Sequence, residues 1–176
     1  TVPEFWLLGS SPWSASAATQ LGMRYAFAGF INPGQAYHIT QSYRDNFKPS
    51  EMTTGNQQPE LILSLSIYCA ETDEAAARLA APIQVMMKRM MSGDIQSPIV
   101  TEDEAIEILG GLPETEQLTD PSFPPRMLIG TPQKVAGWLK QIGEAFGTDE
   151  IMVQCITANH KDRLESHRLL AGAVLG

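Results

Sequence analysis

Apolar runs alternate with segments of helical spacing along this chain. Consecutive or alternating apolar residues mark four runs, Phe5–Leu8, "YAFAGF" at 25–30, Glu60–Thr72 and Ile151–Ile156. Continuous apolar residues are typical of strands that are buried on both faces of a parallel sheet. The segments between the runs have the spacing of amphipathic helices. The predicted order is therefore β-α-β-α-β-α, then an irregular excursion, then α-β-α.

This alternation predicts an α/β fold with about four parallel strands and outer helices. A closed eight-stranded barrel needs about 250 residues. The 176 residues of this chain therefore correspond to half of a (β/α) barrel of the TIM type. An open, doubly wound four-stranded sheet is the alternative, and both architectures bind ligands at the carboxyl ends of the strands. We expect residues 1–176 to form a single domain.

The segment from Ser92 to Pro125 differs from the rest of the chain. Prolines, glycines and acidic residues interrupt every regular pattern there, except for one short helical pattern from Glu102 to Leu109. A connection of this length inside a compact domain is usually functional or disordered. We expect residues 92–125 to be an irregular excursion or lid.

Composition and charge exclude several classes of protein. Hydrophobic residues make up 43% of the chain, charged residues 18%, and the formal net charge is −8. Lysines and arginines are scattered singly, so we expect no nucleic-acid partner and no binding to an anionic membrane. Cys69 and Cys155 lie inside apolar runs and are expected to be small core residues. With no CxxC motif and three histidines, neither a disulfide framework nor a metal site is predicted.

Targeting signals are not evident in the sequence. No run approaches the roughly 18 apolar residues of a membrane span, and no signal peptide opens the chain. We therefore expect a cytoplasmic location. Whether Thr1 is a natural terminus is left open, because the first residue is not methionine.

Candidate chemistry is concentrated in the turn "GSSPWS" that follows the first apolar run. Ser11 is a good N-cap and Pro12 a good first helical residue, so a helix is predicted to begin there. The hydroxyls of Ser10, Ser11 and Ser14, together with the helix dipole, suit a phosphate group without any lysine. Plain capping of the helix is the alternative interpretation.

Three further positions follow predicted strands and have simpler explanations. Glu71 is explained by the electrostatics of a helix start, and His160 by a capping and ion-pair cluster with its neighbours. "IGTP" at Ile129–Pro132 begins another helix and is a weaker candidate for anion binding. We assign no catalytic residue from the sequence.

Five segments of the chain carry a family resemblance. They are "WLLGSSPWSASAATQLGMRYAFAGF", "YRDNFKPSE", "SIYCAETDEAAARLA", "IGTPQKVAGWL" and "DEIMVQCITANHKDRLESHRLLA". In this order they resemble the C-terminal half of the bacterial luciferase-like flavin monooxygenases, and most of all the alkanal-monooxygenase-like group. The resemblance covers almost the whole chain, apart from the excursion.

The resemblance implies a (β/α) barrel to which this chain supplies the last four strands. In that family, reduced FMN binds at the C-terminal end of the barrel, and the turn after the fifth strand holds the FMN phosphate. The residues that match this turn are Gly9, Ser10, Ser11 and Ser14. Ala28 matches a position near the flavin at the end of the sixth strand, where luciferase has a serine.

The implied activity is oxygenation of an aldehyde or another small apolar substrate by reduced FMN and dioxygen. Deazaflavin F420 is the alternative cofactor, although the match at "LLGSS" and "YAFAGF" favours FMN. The family's other half supplies an arginine for the phosphate and much of the pocket. We therefore expect a homodimer or a complementary N-terminal half as partner. The alternative function is a non-catalytic half-barrel that pairs with itself or with another chain.

Overall fold

Strands and helices alternate along the chain as the sequence predicts. The computed structural model describes residues 3–50 and 57–176, and within them it contains five strands and six α-helices. In chain order the elements are β1 (Trp6–Gly9), α1 (Pro12–Leu21), β2 (Arg24–Ala28), α2 (Ala36–Asp45), β3 (Leu61–Cys69), α3 (Asp73–Met91), α4 (Glu102–Leu109), β4 (Met127–Gly130), α5 (Pro132–Phe146), β5 (Ile151–Gln154) and α6 (His160–Val174). The α/β class is thereby confirmed. Strand β4 was not predicted, because only the start of the following helix was recognised there.

Local capping signals determine where three of the helices begin. Ser11 caps α1 by accepting a hydrogen bond from the Ser14 N–H at 3.3 Å, and Pro12 is the first helical residue. The Ser14 hydroxyl accepts the Ser11 N–H in return, at 3.2 Å, which completes a capping box. Thr72 caps α3 and Asn159 caps α6. These three caps confirm the sequence-based assignments.

The described residues form two compact units, which we call unit 1 and unit 2. Unit 1 comprises the described residues of Thr1–Ser66, together with Leu118–Arg126 and Leu139–Val153. Unit 2 comprises Ile67–Gln117, Met127–Trp138 and Gln154–Gly176. Strand β3 and helix α5 therefore contribute residues to both units.

Unit 1 is built on a parallel sheet. Strand β1 pairs with β2 from Trp6↔Arg24 to Gly9↔Phe27, and β2 pairs with β3 from Tyr25↔Leu61 to Ala28↔Ser64. Parallel strands end at the same edge of a sheet, so the turns after β1 and β2 are neighbours. Ser10 and Ser11 lie in the first of these turns, and Gly9 and Ala28 are the last residues of the two strands.

A buried tyrosine on α2 connects the starts of two strands in unit 1. The Tyr43 ring is fully buried and lies 5.3 Å from the Tyr25 ring, centroid to centroid. Its hydroxyl accepts the Glu60 N–H at 3.2 Å and has two carbonyl acceptors, Met23 at 2.9 Å and Glu60 at 3.1 Å. Burial raises the pKa of Tyr43 to about 12. The neutral tyrosine is therefore the form that stabilises the fold.

We expect this hydroxyl to make stability depend on pH above about pH 10. The unfolded chain ionises Tyr43 near its ordinary pKa of about 10, whereas the folded protein does so only near 12. The stabilisation is thus complete below the unfolded pKa and is lost as the pH rises toward the folded pKa. At about pH 11 the loss should reach about 1.4 kcal/mol.

The measurement is the free energy of unfolding in urea for the wild type and Tyr43→Phe, at about pH 8 and about pH 11. At the lower pH the variant should be less stable by about 1 kcal/mol, because the partly buried hydrogen bonds of the Tyr43 hydroxyl are lost. The pH-dependent loss should be smaller in the variant. Tyr37→Phe, on the same helix, is the matched control. Equal pH-dependent losses in the wild type and Tyr43→Phe would show that Tyr43 does not cause the effect.

Unit 2 packs helices against the end of β3 and against β4. The Ala70 N–H donates to the Gly130 carbonyl at 3.4 Å, just beyond the end of β3. Buried residues of β3, α3 and β4 form a continuous apolar cluster, which also includes Cys155. Both cysteines are free and buried, as predicted, and burial raises the pKa of the Cys69 thiol to about 12. Cys69 is therefore a core residue rather than a reactive thiol.

The excursion contains one helix, at the predicted position. Helix α4 begins with a capping box between Thr101 and Glu104, and Ala105 packs with Ala81 and Val85 of α3. Residues 92–117 belong to unit 2, whereas Leu118–Arg126 belongs to unit 1.

Candidate functional site

The turn between β1 and α1 is tightly packed against the first turn of the helix. A Cβ atom added to Gly9 would lie 2.3 Å from both Cβ and Oγ of Ser14. Contacts of this length do not occur between real side chains, so only glycine fits at position 9 in this backbone. The close approach packs the end of β1 against Ser14 in the first turn of α1.

Ser14 lies behind this turn. Its side chain is buried, and its hydroxyl is 2.8 Å from the Ser11 carbonyl and 2.9 Å from the Tyr25 hydroxyl. With the Ser11 N–H also bound to it, the Ser14 hydroxyl has its hydrogen-bonding capacity taken up within the protein. The sequence located Ser14 beside the other two serines, and the structure shows that Ser14 holds the backbone on which they lie.

Two serine hydroxyls and one backbone amide lie at the start of α1. Ser10 is half-buried and Ser11 is exposed, and the Ser11 hydroxyl donates to Ser14 Oγ at 3.3 Å while it accepts the Ser14 N–H. The Trp13 N–H belongs to the first turn, where an α-helix has no intrahelical acceptor to offer. The first turn of α1 contains no acidic residue. Its partial positive charge therefore remains available to an anion.

The turn after β2 is hydrogen-bonded to the turn after β1. Asn32, in the turn after β2, donates from Nδ2 to the Ser10 carbonyl at 3.0 Å and to Gln35 Oε1 at 3.2 Å. The guanidinium of Arg126 donates to the carbonyls of Phe30 and Ile31 at 2.9 Å and 3.0 Å. Sequence analysis missed both roles. The only signals were the "NPG" turn and the arginine that follows two prolines.

Ala28 lies within the sheet rather than at its surface. Only 2% of it is exposed, and it pairs in register with Ser64 of β3. It is one residue beyond Phe27, the partner of Gly9. The structure therefore brings Ala28 close to the turn along the sheet edge, with its side chain among buried neighbours.

Two other candidate positions have internal partners in unit 2. Asp73 accepts the Thr131 N–H at 3.2 Å and the Lys134 ammonium at 2.9 Å, so a carboxylate already lies at the start of α5. The hydrogen bond from Lys134 lowers the pKa of Asp73. His160 contacts Arg163 through Nδ1 at 2.6 Å. The Asp73 contacts support the interpretation of "IGTP" as a plain helix start. The His160 contact joins an imidazole nitrogen to a guanidinium, so it places His160 beside Arg163 without forming an ion pair.

Two further findings concern metals and membranes. In the part of the chain that the structure describes, no group of three or more His, Cys, Asp or Glu side chains could hold a metal ion. Among the same residues, none of the helices has the length and hydrophobicity required to cross a bilayer.

Comparison with known proteins finds relatives that match almost the whole of this chain. YwcH of Bacillus subtilis, which is described as uncharacterized, is 33% identical over 98% of this chain and 50% of its own length. A luciferase-like monooxygenase of Escherichia coli K12 is 32% identical over 93% of this chain and 47% of its own length. No protein-family model matches the chain.

Two solved structures have the same fold. Apo-MsnO8 superimposes with a TM-score of 0.82 and 37% identity, over 97% of this chain and 50% of its own. The oxygenating constituent of 3,6-diketocamphane monooxygenase from Pseudomonas putida, a type II Baeyer–Villiger monooxygenase in complex with FMN, gives a TM-score of 0.57 at 19% identity, over 98% of this chain and 48% of its own. The latter similarity concerns the fold alone.

The matched lengths show that the chain spans about half of each of these relatives. Its parallel sheet with flanking helices corresponds to half of a barrel of the TIM type. Together, the relatives and structures support assignment of this chain to the luciferase-like family, over about half of the length of its members.

Proposed function

We propose that this chain is the C-terminal half-barrel of a luciferase-like, flavin-dependent monooxygenase and that it binds the phosphate of reduced FMN. The observation that carries the proposal is the start of α1. Two serine hydroxyls and the Trp13 amide lie there on an acid-free first turn, next to the carboxyl end of β1. Barrel enzymes bind phosphate groups at this kind of position.

The residues present fit a phosphate group. The Ser10 hydroxyl and the Trp13 N–H are neutral donors, the Ser11 hydroxyl joins them when it turns from Ser14 Oγ to the anion, and the helix dipole adds partial positive charge. Gly9 and Ser14 shape the turn, and Ala28 lies on the neighbouring strand. When bound, the reduced flavin supplies the electrons and the reaction with dioxygen. The contribution of these residues is to bind and orient it.

The cofactor and the substrate are the finer parts of the proposal. FMN is favoured over F420 by the resemblance at "LLGSS" and "YAFAGF", and a protein of similar fold has been solved with FMN. An aldehyde or another small apolar substrate is proposed from the same resemblance, as is a cytoplasmic location. The excursion at 92–125 is proposed as a lid within the single domain expected from the sequence.

A second candidate function rests on exposed apolar residues at and just before strand β1. Leu8 on β1 is 67% exposed and Phe5, immediately before the strand, is 59% exposed. Apolar side chains on an edge strand invite pairing with another chain. A non-catalytic half-barrel that binds a second copy, or a complementary N-terminal half, would cover these residues without using flavin.

Light scattering on a size-exclusion column, run with and without FMN, tests these proposals. The chain has a mass of 19.2 kDa, so a peak near twice that mass with co-eluting flavin absorbance would support a self-sufficient dimer. Two samples are compared. The first is this chain alone, and the second is this chain co-expressed with the half of MsnO8 that it does not match. Flavin only in that sample would support a complementary half. A complex without flavin in both samples would contradict flavin binding and support the interaction module.

A further inference from the structure

The turn after β2 in unit 1 is held on both of its sides. On one side, the Nη1 atom of Arg126 donates to the carbonyls of Phe30 and Ile31. On the other side, Asn32 donates to Ser10 in the turn after β1. Arg126, which directly follows the excursion, is therefore linked through residues 30–32 to the backbone of Ser10.

The Ser10–Ser11 peptide group is the end point of this connection. Its carbonyl accepts Asn32 Nδ2 at 3.0 Å, and its N–H donates to Ser14 Oγ at 3.2 Å. A peptide group is planar, with its C=O and N–H pointing in opposite directions. Hydrogen bonds at both ends therefore fix the rotation of this plane, which carries the Ser10 and Ser11 side chains.

We propose that Arg126 is a positioning residue for the phosphate-binding turn and that it acts through Asn32. The guanidinium holds the carbonyls of Phe30 and Ile31, and Asn32 orients the Ser10–Ser11 peptide. This peptide fixes the Cα positions from which the Ser10 and Ser11 side chains extend. We call this chain of contacts, from Arg126 through Asn32 to the Ser10–Ser11 peptide, the relay. The inference rests on the proposed function, because the relay affects binding only if an anion binds at the start of α1.

A purely structural role for Arg126 is the competing explanation. Arg126 ends the Leu118–Arg126 segment of unit 1, in which the Phe123 ring lies 5.8 Å from the His38 ring. If Arg126 only fastens this segment, its loss lowers stability without affecting the phosphate turn specifically. The positioning role and the structural role make different predictions. Only the positioning role predicts that the loss of binding in an Arg126 variant requires the phosphate of the ligand and the side chain of Asn32.

The binding experiment compares FMN with riboflavin, which lacks the phosphate, by fluorescence titration of the whole chain. We expect Asn32→Ala and Arg126→Ala each to weaken FMN binding about tenfold, which is about 1.4 kcal/mol. Riboflavin binding should stay unchanged. The double variant should be no weaker than either single variant, because both remove the same relay. Arg126→Lys should recover part of the affinity.

A second measurement does not require flavin. Amide hydrogen exchange in residues 9–14 of the unliganded chain reports on the Ser11 N–H, which is bound to Ser14. We expect both alanine variants to accelerate this exchange about fivefold. Arg78→Ala is the matched control, because it removes an arginine of an exposed ion pair with Asp103 in unit 2. It should change neither the exchange nor FMN binding.

The outcomes separate the inference from the proposed function. If the wild type binds no FMN but both alanine variants accelerate exchange at 9–14, the proposed function fails and the relay stands. If exchange at 9–14 is unchanged in Arg126→Ala, the inference is overturned, whatever the flavin result. Additive losses in the double variant, or equal losses of FMN and riboflavin binding, would also overturn it.

Discussion

Replacing Ser11 by aspartate should abolish most FMN binding without weakening the fold. Aspartate is as good an N-cap as serine, so its carboxylate can accept the Ser14 N–H that Ser11 accepts now. The same carboxylate introduces a negative charge beside the proposed phosphate position. Repulsion between two unit charges about 5 Å apart at an effective dielectric constant of about 20 is about 3.3 kcal/mol, which corresponds to a loss in affinity of about 250-fold.

Ser11→Asn is the matched control for this substitution. Asparagine caps as well as aspartate and is neutral, so it separates the charge from the change of shape. FMN binding by the asparagine variant should stay within about fivefold of the wild type, and the melting temperatures of both variants within about 2 °C. Riboflavin affinity should be the same for all three proteins. Equal FMN affinities of the aspartate and asparagine variants would mean that no phosphate lies near position 11, which leaves capping as the role of Ser11.

Gly9→Ala should cause the largest loss of stability among the substitutions proposed here. The new Cβ would lie 2.3 Å from two side-chain atoms of Ser14, which is buried and cannot move aside without losing its hydrogen bonds. Overpacking of this kind costs about 3 kcal/mol. For a chain of this length, that corresponds to a fall in melting temperature of about 6–12 °C. Calorimetry or urea unfolding measures the effect directly.

Two further variants show whether the cost arises from the contact with Ser14. Gly34→Ala is the matched control, because an added Cβ at position 34 meets no atom within 4 Å. Its effect should be below about 0.5 kcal/mol. Combining Gly9→Ala with Ser14→Gly removes the colliding atoms, so the loss in the double variant should be smaller than the sum of the single losses. Strict additivity would show that the predicted collision is relieved in some other way.

Short-range rules account for what the sequence predicted correctly. The strand and helix alternation follows from the apolar runs at 5–8, 25–30 and 151–156, and the helix starts follow from Ser11, Thr72 and Asn159. A cap depends on residues within one helical turn of each other, so the neighbouring residues are enough to predict where the helix begins. Strand β4 was missed because four apolar residues before a helix have no distinctive pattern of their own.

Residues distant in sequence decided the remainder of the candidate site. The sequence located three serines in one turn, but it contained no sign that Ser14 faces Tyr25, 11 positions away, and therefore lies behind Ser10 and Ser11. The bonds from Asn32 and Arg126 depend on the parallel pairing of β1 with β2 and on the return of the chain after the excursion.

The sequence by itself thus determined the fold class, the helix starts and the location of the candidate turn, because each depends on patterns within a few residues. Only the tertiary structure decided which serines of that turn are buried and which side chains hold its backbone. Ser11 is exposed and Ser10 half-buried, whereas Ser14 is buried and hydrogen-bonded to the Ser11 carbonyl and the Tyr25 hydroxyl. The physical reason is that these contacts join segments separated by 11 to 96 positions, whose distances are set by sheet pairing and packing rather than by neighbouring residues.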